Sequence, residues 1–206
     1  MSSLLDAARR DWIQLLAVTF GIISVYLSVR QNIWSWPTAI VNVLLYVLVF
    51  RQARLYSDMG LQVVYAVLSV YGWYEWLHGG LNKTPLKVSR WSARSATPLV
   101  LLCALGTWRL GHQFAIHTDA SLPYLDAGLT MTSLVAQYLM TRKVLENWLI
   151  WIAADVVYVG MFLYKGLNPT AALYAVFFVL AVVGYLEWKR SYQAGRMMAP
   201  VPDPAS

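Results

Sequence analysis

Apolar residues in this chain gather into long runs, and the polar residues either punctuate the ends of those runs or recur inside them at helical spacing. Crossing ~30 Å of hydrocarbon takes roughly 20 helical residues. Seven segments meet that length, at approximately 12–30, 33–51, 60–78, 97–116, 122–140, 146–164 and 168–188. The joining loops are short except for 79–96, where turn formers and basic residues lead to Pro98. The pattern predicts an all-α membrane protein of seven transmembrane helices, forming one domain over 1–190 with a disordered cytoplasmic tail at 191–206.

The runs also repeat. Shifting the chain on itself by 112 residues, without a gap, matches Tyr26 with Tyr138, Arg30 with Arg142, Trp36 with Trp148, Tyr46 with Tyr158 and Phe50 with Phe162. It also matches Leu55 with Leu167, Leu61 with Leu173, Gly72 with Gly184, Glu75 with Glu187 and Trp76 with Trp188. Shared hydrophobicity explains Leu pairs but does not readily explain Arg, Gly, Glu and aromatic pairs in one register. The expectation is a 3+1+3 arrangement: repeat one over about 12–78, a linker helix over about 97–116, and repeat two over about 122–188. Two three-helix units joined by a single crossing run in the same direction, and sites in such folds lie near the midplane where the repeats meet.

Composition agrees, with 59% hydrophobic and 13% charged residues against about 25% charged in soluble domains. The net charge of +6 could suggest a nucleic-acid partner, but Lys and Arg sit at the ends of apolar segments, as topogenic charges do, so no nucleic acid is expected. With the C-terminus inside, ten of the 16 basic residues fall on the inner side, among them Arg30, Lys83, Lys87, Arg90, Arg142, Lys143 and Lys189. That bias predicts N-out, C-in. The first run is longer than a signal-peptide core and has no clear cleavage site, so it is expected to be retained. A lone Cys103 excludes a disulfide framework within the chain.

The polar residues inside the runs form stripes. On the sixth segment Trp148, Trp151, Asp155 and Tyr158 fall at i, i+3, i+7 and i+10, on one helical face. The third carries Gln62, Tyr65, Ser69 and Trp73, and the fifth Asp126, Thr130, Ser133 and Gln137. Asn42 and Tyr46 share a face of the second segment, Thr170 and Tyr174 one of the seventh, and Asn147 adjoins the sixth stripe. Small hydroxyls such as Ser69, Thr130 and Ser133 can be interhelical glue or bond back to their own helix. Asp155 is different. A carboxylate at mid-bilayer costs ~2.5–3.5 kcal/mol even on the lenient scale, and no Lys or Arg lies in the middle of any run. Neighbouring indoles attract cations more strongly as water is excluded, so Trp148, Trp151 and Asp155 suggest a slot for a flat, cationic or hydrogen-bonding ring. Trp34, Trp36, Trp76, Trp91, Trp108 and Trp188, at segment ends or in loops, are expected to be interfacial anchors. No metal, cofactor or catalytic pattern stands out: His112 and His117 are off the i, i+4 spacing, and no phosphate loop or nucleophile elbow occurs.

Four motifs, W-P-x(4)-N from Trp36 to Asn42, L-Y-x-D-x-x-L-Q from Leu55 to Gln62, Y-G-W-Y-x-W from Tyr71 to Trp76 and R-K-x-x-E-N-W-x-x-W from Arg142 to Trp151, together resemble the PnuC family of bacterial vitamin transporters. The resemblance spans all seven segments. It implies a doubled SWEET-like bundle, homotrimers in the bacterial inner membrane, and facilitated diffusion of a vitamin that is phosphorylated inside the cell. The family's branches carry nicotinamide riboside, thiamine or riboflavin. The first two are cationic aromatics that suit an acid flanked by indoles. In nicotinamide riboside carriers the position matching Asp155 is often an amide, whereas an ionised carboxylate only accepts hydrogen bonds, so thiamine stays open as a substrate. A receptor that binds the vitamin without flux also stays open. The expected substrate-binding residues are Trp148, Trp151, Asp155, Tyr158, Asn147, Asn42, Gln62, Tyr65, Trp73, Tyr174 and Gln137.

Overall fold

Long apolar runs without internal breakers give long helices, because a backbone in hydrocarbon must satisfy its own polar groups. A computed structural model describes the backbone of residues 2–52, 54, 56–118 and 122–197, and the side chains within those ranges except 2–11, 56–57 and 93–95. Seven helices occupy the described residues: α1 Ser2–Val29, α2 Ser35–Gln52, α3 Tyr56–His78, α4 Ala93–His117, α5 Pro123–Thr141, α6 Asn147–Tyr164 and α7 Asn168–Met197. Leu55 and the tail 198–206 lie outside the described residues. Helices α1, α4, α6 and α7 are by themselves long and apolar enough to cross a membrane. The apolar runs of α2, α3 and α5 are interrupted by such residues as Asn42, Gln62 and Gln137.

Four boundaries differ from expectation: α1 starts at Ser2 rather than 12, α3 at Tyr56 rather than 60, and α4 and α7 are also longer. Helix α4 starts at Ala93 rather than 97, its ladder opening with Ala96 N–H donating to the Ser92 carbonyl. Helix α7 runs to Met197 instead of ending near 188, because no proline occurs between Trp188 and Pro200, a lone Gly195 is tolerated, and residues such as Leu186, Glu187, Lys189 and Arg190 are good helix formers. The segment 191–197, expected as part of the tail, is therefore helical.

Helices α1, α2 and α3 pack in sequence, as do α5, α6 and α7; α3 meets α5 and α7 meets α1, closing a ring, while α4 lies outside it against α5. Local geometry recurs 112 residues apart. The α1–α2 turn places Gln31 at φ 53° and the α5–α6 turn places Lys143 at φ 50°. The same hydrogen bonds close both: Asn32 N–H to the Leu27 carbonyl at 2.9 Å, and Val144 N–H to the Leu139 carbonyl at 3.0 Å. The α2–α3 and α6–α7 turns likewise contain left-handed residues at Arg54 and Gly166.

Four indoles fill the ring at the end where α1, α3, α5 and α7 terminate. Trp36 stands edge-on to Trp76 (5.3 Å, 89°) and Trp148 edge-on to Trp188 (5.5 Å, 90°), while Trp76 and Trp188 meet at 5.8 Å. Edge-to-face contacts of this kind are worth ~0.5–1.5 kcal/mol beyond the area they bury. Trp76 Nε1 donates to the Met140 carbonyl and Trp188 Nε1 to the Ser28 carbonyl, both at 3.0 Å. Each bond thus joins the third helix of one bundle to the first helix of the other. Glycine makes the close approach possible: a Cβ at Gly184 would stand 2.7 Å from the Trp148 ring, and one at Gly72 would overlap Trp36.

The loop 79–92 straps this indole layer. After a 3-10 turn at Leu81–Lys83, Leu86 N–H donates to the Trp76 carbonyl, and Ser89 forms an isolated parallel bridge with Val144. Arg90 then pairs with Glu146 at 2.8 Å, whose other carboxylate oxygen accepts from Trp91 N–H.

Candidate functional site

Above the indole layer the ring encloses a cavity of ≈ 450 Å³, lined from six helices and not from α4. It extends from Ser28, Trp36, Met140 and Trp148 at the deep end to Phe50, Leu61, Phe162 and Thr170 near the α2–α3 and α6–α7 turns. That volume falls within the ~300–1,000 Å³ range of small-molecule sites.

Nine of the eleven expected residues line it: Trp148, Trp151, Asp155, Tyr158, Asn42, Gln62, Tyr65, Tyr174 and Gln137. Trp73 and Asn147 do not. The inward face of α3 continues from Ser69 through Gly72 to Trp76, so Trp73, one residue past Gly72, turns outward and is 39% exposed. Asn147 is fully buried in the α5–α6 turn, where its Nδ2 donates to the Val144 carbonyl at 2.6 Å.

The acid sits midway along α6. Asp155 is only 3% exposed, yet no hydrogen bond or ion pair joins its carboxylate to another described residue. Around it the cavity is aromatic. Tyr158 stacks on Tyr174 at 4.5 Å and on Phe162 at 6.0 Å, Phe162 on Tyr174 at 5.2 Å, and Tyr46 on Phe50 across the chamber's other wall at 5.7 Å. Ser133 Oγ lies 3.5 Å from the Tyr158 hydroxyl. Asn42 spends its amide N–H on the Ala17 carbonyl at 2.6 Å, which leaves its oxygen as an acceptor. Ser69 and Thr130 bond back to the Tyr65 and Asp126 carbonyls on their own helices, the bland alternative considered for small hydroxyls.

The role of Trp148 differs from that of an open stacking face. It is 1% exposed, wedged against Gly184 and Trp188, so it closes the deep end of the chamber. The more accessible rings are Trp151, Tyr46, Tyr158, Phe162 and Tyr174. Trp36, Trp76 and Trp188 are packed in the interior rather than serving as interfacial anchors, whereas Trp34 and Trp108 are exposed as anchors should be. Phe50, Phe162 and Phe177 were not expected in the lining. Phe162 lies four residues beyond Tyr158 on the same stripe, a signal visible in the sequence but easily taken for lipid contact.

Comparisons with known proteins bear on these observations. The model of the family described as nicotinamide mononucleotide transporter matches residues 11–190. The chain is 26% identical to a nicotinamide riboside transporter PnuC of Escherichia coli, over 88% of this chain and 86% of that protein. It is also 26% identical to the riboflavin/roseoflavin transporter RibM of Streptomyces davaonensis, over 86% and 84%. A crystal structure of the vitamin B3 transporter PnuC superposes with a TM-score of 0.71 at 23% identity, covering 94% of this chain and 87% of that one. A six-helix ring around an aromatic chamber with one buried acid, the four motifs along the chain, and a family match covering nearly all of it converge: the chain belongs to the nicotinamide mononucleotide transporter family, whose members are membrane carriers.

Proposed function

We propose that this protein carries nicotinamide riboside across the bacterial inner membrane by facilitated diffusion. The observation that carries the reading is Asp155, buried in an aromatic chamber with no cationic side chain lining it among the described residues. A buried carboxylate needs an opposite charge or several donors to offset its lost hydration, and a pyridinium ring supplies the charge while its carboxamide N–H₂ supplies a donor. Trp151, Tyr158 and Tyr174 offer π faces that attract a cation more strongly where water is excluded. Gln62, Tyr65, Gln137 and the Asn42 oxygen line the same chamber and would meet the ribose hydroxyls.

The matching turns and indole pairs 112 residues apart support two parallel three-helix repeats joined by α4, with seven membrane crossings. The basic-residue bias supports N-out, C-in. In that orientation the indole layer closes the inner side and the chamber faces outward. Rocking of the repeats about the chamber would give alternating access. The family resemblance supports a homotrimer.

Thiamine is the second reading, favoured by the acceptor-only chemistry of Asp155, which suits an aminopyrimidine beside a thiazolium better than it suits a carboxamide carbonyl. Competition binding of nicotinamide riboside, thiamine and riboflavin to the purified protein separates these substrates. Uptake into sealed proteoliposomes separates a carrier from a receptor, since binding without flux would leave only the latter. A requirement for a sodium or proton gradient would overturn facilitated diffusion.

A further inference from the structure

A second cavity, of ≈ 390 Å³, lies beyond the indole layer beside the last turns of α7. Its walls include Arg90, Leu145, Tyr185, Lys189, Tyr192 and Arg196. Tyr185, Lys189, Tyr192 and Arg196 fall at i, i+4, i+7 and i+11, one stripe of the helical extension that carries α7 past Trp188. The strap 79–92 brings Arg90 to the same place. Three cations thus converge from two chain segments that are remote in sequence.

One of the three has an acidic partner among the described residues. Glu146 accepts from Arg90 Nε at 2.8 Å, a bond that leaves the terminal guanidinium nitrogens uncommitted. Lys189 Nζ sits 5.8 Å from the Tyr185 ring. Among the described residues neither Lys189 nor Arg196 takes part in an ion pair, and Arg190, which faces away, is the one bound to Glu187. Lys189 and Arg196 are exposed to solvent, so their repulsion is screened, but cations around one concavity attract an anion. The guanidinium fork matches phosphate oxygens bidentately, and a lysine adds a point charge. The tyrosines provide the amphipathic wall typical of the water–lipid boundary.

We propose that this cavity binds a phosphate-bearing anion, either the headgroup of an acidic phospholipid or a soluble phosphate ester, through Arg90, Lys189 and Arg196. It is separate from the vitamin chamber and does not depend on which vitamin that chamber takes. Basic pockets between membrane helices are recognised by acidic lipid headgroups, and both sources present the same phosphate oxygens.

The test is calorimetric titration of the full-length detergent-purified protein with short-chain phosphatidylglycerol, short-chain phosphatidylcholine and glycerol 3-phosphate. Phosphatidylglycerol or glycerol 3-phosphate binds and phosphatidylcholine does not. The double variant K189Q/R196Q weakens that binding on the order of thirtyfold, at ~1 kcal/mol for each basic residue removed. Arg190→Gln, on the same helix outside the cavity, leaves it unchanged. Binding of the lipid alone assigns a headgroup site, and binding of glycerol 3-phosphate alone a soluble one. Should the double variant misfold, Arg196→Gln near the helix end carries the test, with about a fivefold loss expected. Equal affinity for the neutral and acidic lipids, or undiminished binding by a well-folded variant, overturns the proposal.

Discussion

The deep end of the ring and the walls of the chamber obey different rules. At the deep end, residues 112 apart are the same and do the same thing: Trp36 with Trp148, Gly72 with Gly184, Trp76 with Trp188, each pair in matching geometry. Along the walls Tyr46 still matches Tyr158, Phe50 matches Phe162 and Leu61 matches Leu173, but the residues around the buried acid diverge. Val43 stands where the other half has Asp155, Ala39 where it has Trp151, Asn42 where it has Ala154, and Gln62 where it has Tyr174. Identity is kept where the two bundles interlock and among the rings and leucines near the chamber's mouth, and lost around Asp155. An acid on one wall with a valine at the matched position leaves the chamber's charge asymmetric.

The sharpest way to break that comparison is to remove the interlock. Trp76→Ala and Trp188→Ala should each cost ~3–5 kcal/mol, the range for emptying a large buried aromatic. Thermal unfolding in detergent should show nearly equal losses, and a large inequality would refute structural parity between the halves.

Next in size is a difference within a matched pair of turns. Lys143 is buried at 8% exposure, with Nζ donating to the Leu86 carbonyl at 3.0 Å and 4.4 Å from the Trp76 ring. Its counterpart Gln31 carries no charge. Burial lowers the Lys143 ammonium from 10.5 to about 8. The folded protein therefore releases this proton before the unfolded chain does. Between about pH 8 and 10.5 the unfolded state holds more protons, so this residue's contribution to stability rises with pH, by at most ~3 kcal/mol. Below that window the penalty of the buried charge is present in full. The carbonyl and the indole soften it. Lys143→Met should flatten the rise in melting temperature across that window while Gln31→Met leaves it unchanged.

Asp155→Asn tests the chamber itself. It should weaken binding of a cationic vitamin about tenfold or more, from the ~1.5 kcal/mol at the low end of close charge-pair couplings. Val43→Ala, at the matched position, should leave affinity within about twofold, since it removes no charge and only a little apolar area. Equilibrium binding on purified protein reads both, and equal effects would mean the walls do not divide their labour.

The smallest effect concerns ion pairs. Arg142 donates to Glu75 at 2.7 Å and to the Tyr71 hydroxyl at 3.1 Å. At the matched position Glu187 pairs with Arg190 of its own helix instead of Arg30. Glu75→Gln should lower stability by ~0.5–1 kcal/mol, and Glu187→Gln by less than ~0.5 kcal/mol.

The sequence made α1, α4, α6 and α7 legible through apolar length alone and the other three through shorter, interrupted apolar runs, and the chamber partly legible because Asp155 and its stripe break that pattern. The indole layer was hidden by a physical ambiguity. A tryptophan at the end of an apolar run looks the same whether it floats at the interface or seats on a neighbour. What decides is a glycine on another helix, Gly72 under Trp36 or Gly184 under Trp148, and no pattern within one helix reveals that pairing. Trp73 misled for a related reason. Helical spacing alone allows the stripe after Ser69 to continue at either Gly72 or Trp73, and only the ring waiting opposite selects the glycine. Asn147 looked available because an amide beside an aromatic stripe suggests a ligand, yet its donor is consumed by its own turn.

The two indole N–H bonds cross from each bundle to the other, so neither bundle holds both ends of its own fastening. Opening the floor therefore means parting both bonds, one at each contact between the two bundles.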